Sequence, residues 1–206
     1  MTAALAAPPQ PEAVPYTWKN VAIGGGGFVS GLVFHPRVPG LMYARTDMGG
    51  AYRRDSATGP WQPLLDHLSY DDLNLMGVES LAVDPSDPDK LYLACGTYTA
   101  PAVSDGAVLR SSDRGRHLEV TRLPIKFGGN EEGRGNGERL AVDPNQGRVL
   151  LLGTRLSGLW MSRDGAASFQ PVASFPSEAW QRAPQDGPLA AGRGSDGRSG
   201  VVFVLF

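Results

Sequence analysis

Three times along this chain a short apolar run closes on a proline turn, and the same succession of features follows each copy. The closures are Val33-Phe34-His35-Pro36, Ala82-Val83-Asp84-Pro85 and Ala141-Val142-Asp143-Pro144, spaced 49 and then 59 residues apart. A second apolar run follows each, at Leu41-Met42-Tyr43-Ala44, Leu91 to Ala94 and Val149 to Leu152. A third run follows a glycine, at Gly50 to Arg53, Gly106 to Arg110 and Gly158 to Met161, and a fourth lies near Trp61 to Leu65, Leu118 to Leu123 and Phe169 to Val172. Repetition at this period, with four short β-branched or aromatic runs per unit and turn residues between them, predicts the blades of a β-propeller. Hardly any segment holds a helical 3.6-residue period. The fold expected is all-β: an incomplete propeller of about three four-stranded blades, at about 18–66, 77–123 and 137–173. A fourth is expected to begin at 199–206, behind an Ala/Pro-rich leader at 1–15.

Between the third and fourth runs stands an Asp-box, S-x-D-x-G-x-x-[WF]. It reads Ser111-Ser112-Asp113-Arg114-Gly115 and, more loosely, Ser162-Arg163-Asp164 with Ala166 and Phe169, offset by 51 residues. Such a box is a hairpin device: the carboxylate accepts backbone N–H bonds and the glycine permits a left-handed turn. Asp113 and Asp164 are therefore expected to be structural rather than catalytic.

Composition narrows the functional classes. Hydrophobic residues make up 41% and charged residues 19% of the 206, as in a folded chain rather than a disordered one. A net charge of −2 offers no basic surface for nucleic acid or anionic lipid, and no apolar run is long enough to span a membrane. The 27 glycines and 17 prolines exceed a fifth of the chain and fit many tight turns. Cys95 has no partner for an internal disulfide and sits in the apolar run Leu91 to Cys95, as a buried thiol does. His35, His67 and His117 share no ligand spacing, and Asp84 to Asp89 reads as a turn rather than a calcium loop, so no metal and no cofactor are expected. Gly24 to Gly27 lacks the Lys and the helix of a phosphate loop and reads as a tight turn or a close backbone approach. The leader has no basic region but ends in small residues, so a secreted or periplasmic location is an expectation rather than a motif.

Alternating connections of an up-and-down blade lie on opposite faces. The long ones, 66–77, 96–105, 124–137 and 174–199, all fall on one face, where binding and catalysis collect on a rigid scaffold. On that face the turns between second and third runs align as Arg45-Thr46-Asp47-Met48-Gly49-Gly50 and Gly153-Thr154-Arg155-Leu156-Ser157-Gly158, with Gly96-Thr97-Tyr98 opening the middle copy. The Thr recurs; the next residue is Asp47, Tyr98 or Arg155. The repeat leaves two readings open, drift at a turn position or a functional residue. Tyr98 is a candidate sugar-stacking face, and Arg155 either contacts substrate hydroxyls or braces Asp47 by charge.

Tyr16-Thr17-Trp18-Lys19-Asn20-Val21, Ile23 to Val29, Tyr43 to Arg53, Gly77-Val78-Glu79-Ser80-Leu81-Ala82-Val83-Asp84-Pro85, Leu109 to Gly115, Gly128-Gly129-Asn130-Glu131 and Gly137-Glu138-Arg139-Leu140 carry a further signal. Over roughly residues 16 to 176 the sequence resembles glycoside hydrolase family 74, the xyloglucan-cleaving enzymes of two seven-bladed propellers. That resemblance implies an inverting endo-β-1,4-glucanase with Asp47 as general base. Asn130 and Glu131 join Tyr98 and Arg155 as candidate substrate contacts, and a xyloglucan or related β-glucan oligosaccharide is the implied ligand. It also implies that the general acid lies on a second propeller, so that this chain alone is inactive; Glu79, Glu131, Glu132 and Glu138 are spare carboxylates that inherit no such role. The alternative is a non-catalytic propeller module binding glycans or protein. A sialidase-like propeller would need an arginine triad that these motifs do not supply. Two departures, His117-Leu118 where the box typically has Thr-Trp and Ala166 in place of its glycine, predict relaxed blades.

Overall fold

The computed structural model describes residue 17 and residues 22–175. The expected start of a fourth blade at 199–206 and nearly all of the segment 1–21 lie outside the described residues. Three antiparallel sheets form, each of four strands in sequence order. The first holds β1 (Val29–Phe34), β2 (Met42–Thr46), β3 (Ala51–Arg54) and β4 (Gln62–Pro63). The second holds β5 (Val78–Val83), β6 (Leu91–Cys95), β7 (Ala107–Ser111) and β8 (Glu119–Arg122), and the third β9 (Leu140–Val142), β10 (Leu150–Gly153), β11 (Leu159–Ser162) and β12 (Gln170–Pro171). This is a partial β-propeller. Two of the outermost strands are only two residues long, and each ends on a proline, which has no N–H to continue a ladder. A 3-10 helix at Tyr70–Met76, which no sequence period announced, fills the connection into the second sheet. No helix among the described residues is long and apolar enough to cross a membrane.

The core lies between sheets, so the strand period of two decides which neighbour each residue meets. In β6, Leu91, Leu93 and Cys95 pack toward the first sheet with Tyr43, Leu81 and Leu109, while Tyr92 and Ala94 pack toward the third with Leu140, Leu150 and Leu152. Every residue of β6 is buried, as in a sheet covered on both faces. Burial also pushes the Cys95 thiol far above its usual range, consistent with packing rather than reactivity. In contrast, Leu32 and Phe34 of β1 are 53% and 60% exposed, although Ala44 and Tyr52, in register with Leu32 on the same face, are buried.

The proline turns are self-stapled. Oδ1 of Asp84 accepts the Ser86 amide at 2.8 Å, and Oδ1 of Asp143 accepts the Asn145 amide at 2.8 Å. At the matching position of the first unit, His35 Nδ1 accepts the amides of Arg37 and Val38, which fixes the Nε2–H tautomer. That N–H donates 3.1 Å to the Asp84 carbonyl, so the histidine caps its own turn and ties it to the next.

Both Asp-boxes close, including the two degenerate positions. In the first, Ser111 Oγ donates to Asp113 Oδ1 at 2.8 Å and accepts the Gly115 amide, while Asp113 accepts the His117 amide and its Oδ2 meets His117 Nδ1 at 2.5 Å. In the second, Ser162, Asp164 and Ser168 make the same set, with the Ser168 hydroxyl where His117 stands. Ala166 takes the left-handed conformation at φ 67°, so the expected relaxation does not occur; the bonds hold the turn against the strain of its Cβ.

The His117 amide, with its imidazole and Ser111 adding to it, holds Asp113 well below the usual carboxylate range. The Ser168 hydroxyl, then its amide, hold Asp164 at about 2. A carboxyl whose pKa is depressed by folding contributes stability above its unfolded value near ~4, and the contribution is lost as pH falls through the folded value. Stability to urea should therefore decline between about pH 4 and pH 2. Asp164→Asn should be less stable than the parent at neutral pH and should flatten that decline, as read by denaturation midpoints across the range.

Candidate active site

The turn that carries Asp47 is built from its neighbours. The Thr46 amide and hydroxyl both donate to the Gly50 carbonyl, at 3.0 and 2.8 Å, and the Thr46 hydroxyl accepts the Gly49 amide at 2.8 Å. Gly50 closes the turn at φ 79°, a left-handed conformation that favours glycine. The turn of Thr154 to Gly158 repeats these bonds with near-identical lengths. In the middle copy the turn is opened by the insertion 96–105, and Asn74 Oδ1, from the 3-10 helix, accepts the Thr97 amide and hydroxyl instead. The Gly24–Gly27 segment lies directly on the first turn: a Cβ on Gly49 would stand 1.8 Å from the Gly26 carbonyl oxygen. At Gly27 a Cβ would likewise stand 3.0 Å from the Gly49 amide nitrogen and 3.1 Å from Asp47 Oδ1, whereas at Gly24 and Gly26 it would meet nothing within 4 Å.

Asp47 is 6% exposed. Its Oδ1 accepts the Phe28 amide at 2.8 Å, and its own amide donates to the Phe28 carbonyl at 3.1 Å. Oδ2 has Arg134 Nε at 3.3 Å, within ion-pair reach, yet among the described residues that Nε has no aligned hydrogen-bond acceptor. One oxygen is therefore held by a hydrogen bond and the other by charge alone. The cation beside Asp47 is Arg134, not Arg155.

The sequence candidates separate into two groups. Tyr98 and Asn130 gather beside Asp47: Asn130 Nδ2 donates to the Tyr98 hydroxyl at 2.5 Å and lies 3.7 Å from Met48 Sδ. With Phe28, Met48 and Tyr98 each exposed, this edge of the turn presents apolar surface to solvent. Glu131 and Arg155 turn inward instead. Glu131 accepts the amide and hydroxyl of Thr99 at 2.6 and 2.8 Å, and Arg155 pairs with Glu79 at 2.9 Å while donating to the carbonyls of Glu132 and Gly128. They brace the loops rather than face outward.

Beneath the turn lies a buried ionic seam. β1 and β5 each carry a bulge at the same place, between Val29 and Gly31 and between Val78 and Ser80, which re-aims Ser30 and Glu79. Arg45 is fully buried; its Nε pairs with Glu138 at 2.6 Å, and its other nitrogens donate to Ser30 Oγ and to the carbonyls of Arg134 and Gly137. The second oxygen of Glu138 accepts from Ser80 Oγ and the Leu81 amide. Glu79, 1% exposed, contacts Arg139 as well as Arg155. Burial, with Arg155 and Arg45 close by, draws Arg139 down to about 10. Glu131 and Glu138 are committed to these contacts, and Glu79 meets both arginines through Oε1 while its buried Oε2 has no hydrogen-bond partner among the described residues. Sequence reasoning missed Arg134, Phe28 and Asn74, none of which recurs as a residue type from unit to unit.

An Asp-box propeller whose loop-rich face presents a solitary, backbone-held carboxylate beside exposed aromatic residues is the class these observations define. No family model matches the chain. Similarity to individual proteins is nevertheless extensive. It is 54% identical over 166 residues to xyloglucanase Xgh74A of Acetivibrio thermocellus, covering 79% of this chain and 20% of that protein. It is 47% identical over 161 residues to an oligoxyloglucan-reducing end-specific xyloglucanase of Emericella nidulans, covering 78% and 20%. The crystal structure of the GH74 xyloglucanase from Xanthomonas campestris superposes with a TM-score of 0.74 at 56% identity, covering 89% of this chain and 25% of that one. The chain belongs to glycoside hydrolase family 74, and spans about 20% of the length of the curated relatives it matches.

Removing Glu138 would leave Arg45 buried without its partner, which typically costs about 3–5 kcal/mol. Glu138→Ala should lower the unfolding free energy from urea titration by a matching amount, whereas Glu119→Ala, which breaks the exposed Arg110 pair, should leave it nearly unchanged. Gly31→Ala should behave like Glu138→Ala in kind, because a Cβ there would stand 2.7 Å from both Arg45 Nε and Glu138 Oε1.

Proposed function

We propose that this chain supplies the general-base side of an inverting β-1,4-glucan hydrolase acting on xyloglucan, with Asp47 as the base. The observation that carries the reading is the asymmetry at Asp47: Oδ1 is occupied by the Phe28 amide, while among the described residues Oδ2 takes no aligned hydrogen bond. A base must be fixed in space and keep a lone pair for the proton it removes from water. Inversion further requires a carboxylic acid roughly 6.5–9.5 Å from the base, protonating the leaving oxygen while water attacks from the opposite side. The family resemblance implies that the acid lies outside this chain, on a second propeller, and the contacts of Glu131 with Thr99 and of Glu138 with Arg45 and Ser80 fit a bracing role for those two carboxylates. Tyr98, held by Asn130, offers an aromatic face for a sugar ring on the same side. Substrate identity rests on the xyloglucanases among the relatives, and from a polymeric substrate we infer a secreted or periplasmic location.

The test is a hybrid in which residues 17–175 of this chain replace the matching segment of the Acetivibrio thermocellus xyloglucanase. The hybrid should hydrolyse xyloglucan with inversion, the chain alone should not, and Asp47→Ala in the hybrid should lower kcat by at least about 10³-fold. Full activity of the Asp47→Ala hybrid would leave this chain a glycan-binding or structural module.

A further inference from the structure

Arg134 is the one cation in reach of the Asp47 carboxylate among the described residues, and it is held there from three directions. Its guanidinium carbon lies 5.2 Å over the Phe28 ring, Nη1 donates 3.2 Å to the Glu131 carbonyl, and its own carbonyl accepts from Arg45 Nη1 at 2.9 Å. Phe28 is also the residue whose amide binds Asp47 Oδ1. Phe28 and Arg134 thus hold one another and, between them, touch both carboxylate oxygens. A carboxylate is otherwise loosely fixed about its last torsion, which is broad and nearly two-fold. A hydrogen bond on one oxygen and a cation beside the other set its plane. Because Nε is 3.3 Å from Oδ2 without hydrogen-bond alignment, the cation constrains that oxygen without occupying the lone pair a general base requires.

We propose that Arg134, stacked on Phe28, is a positioning residue that fixes the plane of Asp47 and so aims Oδ2 at the attacking water. This rests on Asp47 being the base. Misplacing a reacting group by about 1 Å can cost on the order of 100-fold in rate. In the hybrid enzyme, Arg134→Ala should lower kcat about 10- to 100-fold with KM changed by less than about two-fold. Arg134→Lys, which keeps a cation on a flexible stem, should recover much of the loss. Phe28→Leu keeps the backbone amide but removes the stacking ring, and should give an intermediate kcat. Thermal midpoints of all variants should be measured alongside. The inference is overturned if Arg134→Ala leaves kcat unchanged, or if Lys and Ala are equally impaired in proportion to a shared loss of thermal stability. Undiminished activity of Asp47→Ala would instead remove the base assignment itself. An inactive Asp47→Ala enzyme beside a fully active Arg134→Ala enzyme would sink only the role of Arg134.

Discussion

The pair of buried Arg45 and partly buried Glu138 is the contact on which the rest of this structure depends. Arg45 comes from the second strand of the first sheet, Glu138 from the connection leading into the third, and Ser80 and Leu81 of the second sheet complete the shell of hydrogen bonds. Two charges removed from water are tolerated only when attraction and hydrogen bonding together offset desolvation. Here the remaining guanidinium nitrogens and the second carboxylate oxygen all find acceptors or donors. Apolar faces alone would let adjacent sheets slide and rotate. This pair sets their register, and by accepting from Arg45 the Arg134 carbonyl brings the neighbourhood of Asp47 into the same framework.

The two faces of the molecule are stabilised by different physics. On the Asp-box face each carboxylate bonds amides four residues onward, so the hairpins are local and nearly self-sufficient. On the opposite face the short Thr46 and Thr154 turns are joined by contacts between residues 19 to 93 apart in sequence, from Phe28 with Asp47 to Arg45 with Glu138. The placement of one turn against another on the loop-rich face therefore depends on assembly of the sheets, whereas the box hairpins are closed by local bonds.

This division explains what the amino-acid sequence disclosed. Strands, proline turns and boxes repeat, and so the sheets and the position of Asp47 could be read from alignment of the copies. The degenerate box residues were misjudged because His117 and Ser168 supply equivalent bonds to the carboxylate, a substitution visible only in three dimensions. Arg155 was a candidate partner of Asp47 because both follow a repeated Thr. A bulge in β5 places Glu79 against Arg155 instead, and no periodic pattern encodes a bulge. Arg134 and Asn74 sit in the connections between successive sheets, whose sequences differ from unit to unit, so comparison of repeats could not single them out.

The hairpin made by Thr46 and again by Thr154 has a wider meaning. Its skeleton closes with the same hydrogen bonds whether the residue after the threonine is an anion or a cation. The backbone thus behaves as a socket, indifferent to the side chain it displays. Duplication of blades multiplies such sockets, and a single substitution can then install new chemistry in one of them while the others keep the scaffold standing.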